Sequence, residues 1–314
     1  MSEALAPTPV AIAQPKEIGL WRSFIRFFRE FKESAGQAVS ALFQHRLRAG
    51  LTVLGIAIGV FVVVGIAALI AGFDESFPNQ LSSLGPNTLY VSSRPWFSNG
   101  NNWWKFRNRP AVGRFDYRSL QANAKLPVAI APMAGTQGVV AYRENEVKNI
   151  QIRGTVESFL DTGGWALRKG RFLSQLDDDL GSDACVIGAD LEEAFFKGGE
   201  ALGQPLRVGP FTRCTIVGTL VRKGNAFGQS QDALVILPLS SLARSFGTKR
   251  SLTIAVMAPT GKVRETEEEV MQVMRTARRL APDQDDNFSV NRQDKILENF
   301  NQTTMMMRVV MALI

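Results

Sequence analysis

An uncharged stretch dominates the reading of this chain: within RLRAGLTVLGIAIGVFVVVGIAALIAGFDE, residues 46–75, no charged side chain occurs between Ala49 and Phe73. As a helix that run is roughly 37 Å long, against a hydrocarbon core of about 30 Å. A secretory signal would place a shorter apolar core at the N-terminus and follow it with a small-residue cleavage site, whereas this run opens only at Ala49. It reads as an uncleaved transmembrane helix over 49–73 in preference to a buried core helix. Arg46, Arg48 and five further basic residues precede it, and Asp74 and Glu75 follow. Basic residues beside a span are retained on the cytoplasmic side, so the N-terminus is expected inside and residues 74–304 outside the cytoplasm.

The rest of the chain supports one ordinary globular domain beside that anchor, since 45% of residues are hydrophobic and only 21% charged. The net charge of +7 divides into +3 before the run, +3 over residues 74–304 and +1 at Arg308, so no segment is basic enough to favour nucleic acid. Residues 1–19, rich in Ala and Pro without a helical stripe, are expected to be a disordered tail. Over 20–48 the pattern turns amphipathic: Trp21, Phe24, Phe28 and Phe31 share one face and arginines lie opposite. Such an arm suits the inner membrane interface, with Trp21, Phe24, Phe28, Phe31, Arg46 and Arg48 as anchors to membrane lipids, or packing against another helix.

Beyond the anchor the texture is α+β. NTLYVSS (87–93) reads as a strand, FDYRSLQANAK (115–125) as a helix, and GVVAYRENEVKNIQIRG (138–154) as a hairpin turning near Glu144 and Asn145. SLTIAVMAP (251–259) reads as a strand, followed by a helix with glutamates early and arginines late, as the helix dipole prefers, and then by the strand NFSV (287–290). Between these flanks residues 153–245 carry short Gly-bounded strands, DACVIG and RCTIVGTLV, separated by the helix ADLEEAFF. This block reads as an inserted subdomain.

Catalytic patterns are absent from the sequence. A phosphate-binding loop needs G-x-x-x-x-G-K-[ST], and at Gly261-Lys262 Val256 and Val263 stand where the first Gly and the hydroxyl should be. The sole histidine, His45, lies on the inner side of the anchor, so no His-based metal or nucleophile site forms in the outer domain. Asp177, Asp178, Asp179 and Asp183 lack the alternation of a calcium loop and are read as a solvated turn. Cys185 and Cys214 sit in apolar strands; buried thiols are the favoured reading, with a disulfide open if the strands are neighbours. In the loop 94–110, Trp96, Phe97, Trp103 and Trp104 alternate with basic residues including Arg107, which suits a membrane or partner surface or a loop folded onto its own domain. Gly55 and Gly59 form a G-x-x-x-G pair, which permits close approach of a second transmembrane helix.

LRAGLTVLGIAIGV at the anchor, LSSLGPNTLYV outside it, then GRFLSQLDDD, CVIGADLEEAFF, ALGQPLRVG, CTIVGTLV and VILPLSSL occur in an order and spacing that resemble the MacB/FtsX-like ABC transporter permeases. The resemblance covers the first transmembrane helix and the periplasmic core domain. It implies a membrane-anchored α+β architecture: a porter-like α/β subdomain with an inserted mostly β subdomain over 74–304. It also implies that residues 305–314, TTMMMRVVMALI continuing from Thr303, open a second span, with the family's remaining spans absent here. By the same resemblance, this is the inner-membrane permease subunit of an efflux or lipoprotein or peptide export system, working by mechanotransmission. The chain itself binds no cofactor; ATP and Mg belong to a separate ABC ATPase subunit, and a homodimer or related permease and a periplasmic adaptor are implied partners. The alternative is a membrane-anchored sensor or scaffold that regulates a partner.

Overall fold

The computed structural model describes residues 46–82, 87–96, 103–210, 212–226, 228–247 and 250–313. The tail 1–19, most of the arm 20–48, His45, Trp21, Phe24, Phe28, Phe31 and Phe97 therefore lie outside the described residues. The chain divides into two units, one ending at Leu69 and one beginning at Ile70.

Helix α1 spans Arg46–Ser82. Within it, Arg46–Gly72 is long and apolar enough to cross a membrane, and among the described residues no other helix is. Its large side chains are exposed along the unit that ends at Leu69, Leu47 at 87% and Phe61 at 78%. A helix that displays so much apolar surface needs a non-aqueous surrounding.

The second unit begins its sheet with β1, Thr88–Ser92, which is central rather than at an edge. It pairs antiparallel with β11, Thr253–Met257, on one side and with β12, Ser289–Arg292, on the other. Strand β2, Ala129–Tyr142, completes this open sheet through its first half, where Met133 faces Thr253 and Ala129 faces Met257. Two helices cross it, α3 (Arg114–Asn123) and α8 (Val263–Ala277), and they pack on each other. In α8 the buried residues Thr266, Glu267, Val270 and Met274 follow a helical period, with Glu265 in the first turn and Arg275 in the last.

The second half of β2 enters a different arrangement. It pairs with β3, Asn145–Thr155, in a hairpin whose turn puts Arg143 at φ 55°. β3 runs parallel to β10, Leu234–Pro238, which pairs with β5, Ala184–Ile187; β5 then runs parallel to β7, Thr212–Leu220. Strand β6, Pro205–Val208, joins β7 back to β2, so six strands close a ring. Closure leaves no unpaired edge along that circuit. The change of texture places an inserted block at residue 153, yet ring pairing begins at Ala134. The hairpin looks like its flanks in composition, but β3 takes β10 as its far partner.

Strands β5 and β10 are buried on both faces, and their residues divide by parity. Val235 and Leu237 join the larger apolar cluster with Cys185 and Ile187, whereas Leu234 and Ile236 join a second cluster with Ala184 and Val186. Two glycines permit the close approaches this requires. A Cβ on Gly218 would stand 2.2 Å from the Arg171 carbonyl oxygen, and one on Gly188 2.1 Å from that of Asp232. Other elements flank the ring: α4 (Phe159–Gly163), β4 (Leu167–Gly170), α5 (Gln175–Leu180), α6 (Ala189–Phe196) and α7 (Leu239–Phe246), while β8 (Asn225–Ala226) and β9 (Gln229–Ser230) pair only with each other.

Cys185 and Cys214 are joined in a disulfide, with Cα atoms 5.8 Å apart, which corrects the expectation of free thiols. The cause is register: Cys185 on β5 lies opposite Ile216 on β7, and Cys214, two residues earlier, shares that residue's face. The aspartate run is also corrected. Asp177 is not a solvated turn residue but is buried at the start of α5, where it accepts the backbone N–H of Ser174 at 2.8 Å and the Arg171 guanidinium at 2.6 Å. Ser174 in turn accepts the Asp177 N–H, a reciprocal cap, and Gly181 closes the helix in the left-handed region at φ 61°.

Candidate functional site

Where β2 leaves the open sheet for the ring, a cleft of about 470 Å³ opens between the two arrangements. Its walls come from both: Tyr90 of β1 and Ala255 of β11 on one side, Arg153 of β3 and Phe159 of α4 on the other, and Lys223 from the loop after β7. Alternation explains Arg153. In β3, Ile150 and Ile152 are buried in the core, so Gln151 and Arg153 project from the opposite face, which looks into the cleft rather than into open water.

The cleft combines rings and cations. Trp96 lies tilted against Tyr90 at 5.0 Å between centroids, and Phe159 stacks near Trp165 at 6.5 Å. The Arg153 guanidinium lies 5.7 Å from the Phe159 ring centre and the Lys223 ammonium 4.3 Å from that of Trp165. Arg153 donates to the neutral Gln151 Oε1 at 3.2 Å, and Lys223 Nζ to the Gly163 carbonyl oxygen at 2.8 Å. Burial pushes the Arg153 pKa down, and burial followed by repulsion from Arg153 lowers Lys223 to about 8. Burial likewise raises the Tyr90 hydroxyl to about 12. Asp232 is the nearby carboxylate; it is 1% exposed and its two oxygens accept the backbone N–H groups of Lys223 and Gly224, each at 2.7 Å. The cleft thus presents two cations close to aromatic rings, and Asp232 beside them accepts two backbone N–H groups.

Among the described residues singled out from sequence, Trp96 alone lines the cleft. Its backbone N–H binds Asn291 Oδ1 at 2.9 Å and its ring lines the cleft at 38% exposure, so this end of the aromatic loop folds onto its own domain. Trp103 begins α2, Trp103–Arg107, in which Trp104 is 60% exposed and Arg107 is exposed. Gly55 and Gly59 sit on the exposed surface of α1, with no neighbouring atom within 4 Å of an added Cβ. Arg46 and Arg48 lie in its first turn. The expected second span falls in α9, Gln293–Leu313, a continuous helix that exposes Met305, Met306, Met307, Val309 and Val310. Sequence reasoning missed Arg153 and Lys223. The only signal for Arg153 is its place on the polar face of an alternating strand, and Lys223 sits in a turn sequence, LVRKGN, that marks nothing but a turn.

Comparison with known proteins bears on both the helix and the domain. The macrolide export ATP-binding/permease protein MacB of Neisseria meningitidis serogroup A is 24% identical over 289 residues, covering 91% of this chain and 43% of that protein. The pyoverdine export ATP-binding/permease protein PvdT of Pseudomonas putida is 29% identical over 265 residues, covering 82% and 38%. The chain thus spans less than half the length of these curated relatives. Among solved structures, the periplasmic region of MacB from Actinobacillus actinomycetemcomitans superposes with a TM-score of 0.57 at 16% identity, covering 70% of this chain and 95% of that one. The extracellular domain of the ABC-type transporter YknZ gives 0.51 at 17% identity, covering 65% and 98%. These two likenesses establish the fold alone. The model of the MacB-like periplasmic core domain matches residues 49–273, most of the chain and most of the apolar helix included. The chain therefore belongs to the family of MacB-like periplasmic core domain proteins, within the MacB/FtsX-like ABC transporter permeases.

Proposed function

We propose that this chain is the permease subunit of an ABC export system, anchored through α1 with its N-terminus inside and residues 74–304 outside the inner membrane. The observation that carries the reading is the range of the family match, residues 49–273, which takes in both the apolar helix and the core domain. Charge bias around the helix supports the orientation, and the Cys185–Cys214 disulfide agrees with an oxidising compartment. In this reading ATP and Mg are bound by a separate ABC ATPase subunit, supported by the ATP-binding/permease names of the relatives, and its cycle moves the outer domain through the membrane helices. A second permease copy and a periplasmic adaptor are the further partners this arrangement calls for. The exported compound is not assigned.

Co-purification tests this. The permease should bring down an ABC ATPase encoded beside it, and that ATPase should turn over faster in the complex than alone; an equal rate would sink the coupling. A reporter active only outside the cytoplasm should work when fused after Val91 and fail after Ser34. Gly59→Leu should leave insertion intact, because Leu is the more apolar residue, yet impair ATPase stimulation by filling a helix-packing groove.

A further inference from the structure

We infer that the cleft at the β2 crossover is a binding site for a small amphipathic anion, an aromatic or otherwise flat apolar body carrying one carboxylate. Three observations meet there. The volume, about 470 Å³, falls within the range of small-molecule sites, which favour junctions between structural units. Two cations line it, and Arg153 is held by a neutral acceptor, Gln151 Oε1, at 3.2 Å. A half-buried guanidinium placed this way costs solvation that a bound carboxylate returns, through paired charge-assisted hydrogen bonds from a planar donor fork.

The walls specify the rest of the ligand. Tyr90, Trp96, Phe159 and Trp165 offer ring faces and edges, too apolar for a hydrated inorganic ion and well matched to a flat hydrophobic body. Asp232 does not serve as the carboxylate for Arg153, because its oxygens accept the backbone N–H groups of Lys223 and Gly224. The ligand also touches both halves of the fold. Tyr90 belongs to the open sheet and Arg153 to the ring, so occupancy would tie the two together. The inference stands whether or not an ATPase drives the domain, and it does not make this anion the exported cargo.

The test is calorimetric titration of the full chain in lipid nanodiscs with 2-naphthoate, with empty nanodiscs subtracted. Saturable binding is expected, with neutral 2-naphthamide at least tenfold weaker. Arg153→Gln and Trp165→Leu should each weaken naphthoate at least tenfold, whereas Arg213→Gln, at an exposed position on β7, should leave it unchanged. Circular dichroism checks that the variants fold. Should Arg153→Gln fail to fold, Lys223→Gln takes its place, and the acid-to-amide ratio in the unmodified chain remains decisive. Equal affinity for acid and amide, no saturable binding, inorganic phosphate binding as tightly as naphthoate, or full affinity in the cation variant would each overturn the assignment.

Discussion

The open sheet and the ring share one strand, yet they are secured by different means. The ring closes its own hydrogen-bond circuit and adds a covalent bond between β5 and β7. The open sheet has edges, and the elements around it are fastened by ion pairs between segments far apart in sequence. Arg278, just after α8, holds Asp116 of α3 at 2.9 and 3.0 Å with both partners 8% exposed, and it also reaches Asn287 ahead of β12. Glu269 accepts the backbone N–H groups of Lys125 and Leu126, and Glu267 binds Arg292 at 2.7 Å and Lys295 at 3.0 Å. A closed circuit limits its own alternatives, whereas an open one depends on charged ties that lose their value when a single partner is removed.

That contrast can be broken most forcefully at Asp116. Asp116→Ala leaves the Arg278 guanidinium buried without its carboxylate and removes the acceptor for the Gly113 N–H, so a loss of about 3–5 kcal/mol is expected in denaturant unfolding. Hydrogen exchange should show the open sheet loosening before the ring; uniform loosening would mean that the two behave as one cooperative block. Replacing both Cys185 and Cys214 with Ala should cost about 2–4 kcal/mol and speed exchange in β5 and β7 first.

A third change sharpens the comparison, because the ring side also has an ionic tie, but nearer the surface. The hydrogen bond from Arg171, with those from Ser174 and Ser182, holds the Asp177 carboxyl well below the usual carboxylate range. Its contribution is complete above the unfolded value near pH 4 and disappears as pH falls below that towards the folded value. Asp177→Asn should cost about 1–2 kcal/mol at neutral pH and flatten that part of the acid profile. Unchanged acid sensitivity would place the effect elsewhere. Lys223 gives the smallest effect and the opposite sense. Its pKa, lowered to about 8 by burial and by Arg153 against the pull of Asp232, means that the unfolded chain holds the proton more tightly. Stability should therefore rise slightly from about pH 8 to about pH 10.5, and Lys223→Met should abolish that rise.

How much of this could be read from the chain depends on how local the cause is. The strand NTLYVSS, the hairpin 138–154 and the helix ADLEEAFF follow from alternation, turn residues and caps, and each lies where it is expected. The cap of α5 was equally local: SQLDDDLG holds Ser, Asp three residues on and a closing Gly, and attention to metal spacing obscured it. The ring was not legible, since nothing in PLRV says that it bridges β7 and the end of β2. The disulfide depends on the same non-local pairing, and so does the cleft, whose cations acquire their setting only once β2 has changed partners. Long-range register is decided by the sum of many contacts, not by any short motif.

The central place of β1 bears on how the chain is made. Leu89 pairs with both Val256 and Arg292, so an early apolar strand depends on two neighbours that the ribosome delivers much later. Emerging first, β1 must wait, with its buried residues uncovered, while the whole ring is synthesised and has every opportunity to assemble. Strand pairing over such separations is slow, and an unpaired apolar strand invites association with other chains. With α1 anchored as proposed, the strand is kept from free diffusion while it waits, and a polar substitution at Leu89 or Val91 should act on the yield of folded molecules more than on the finished ring.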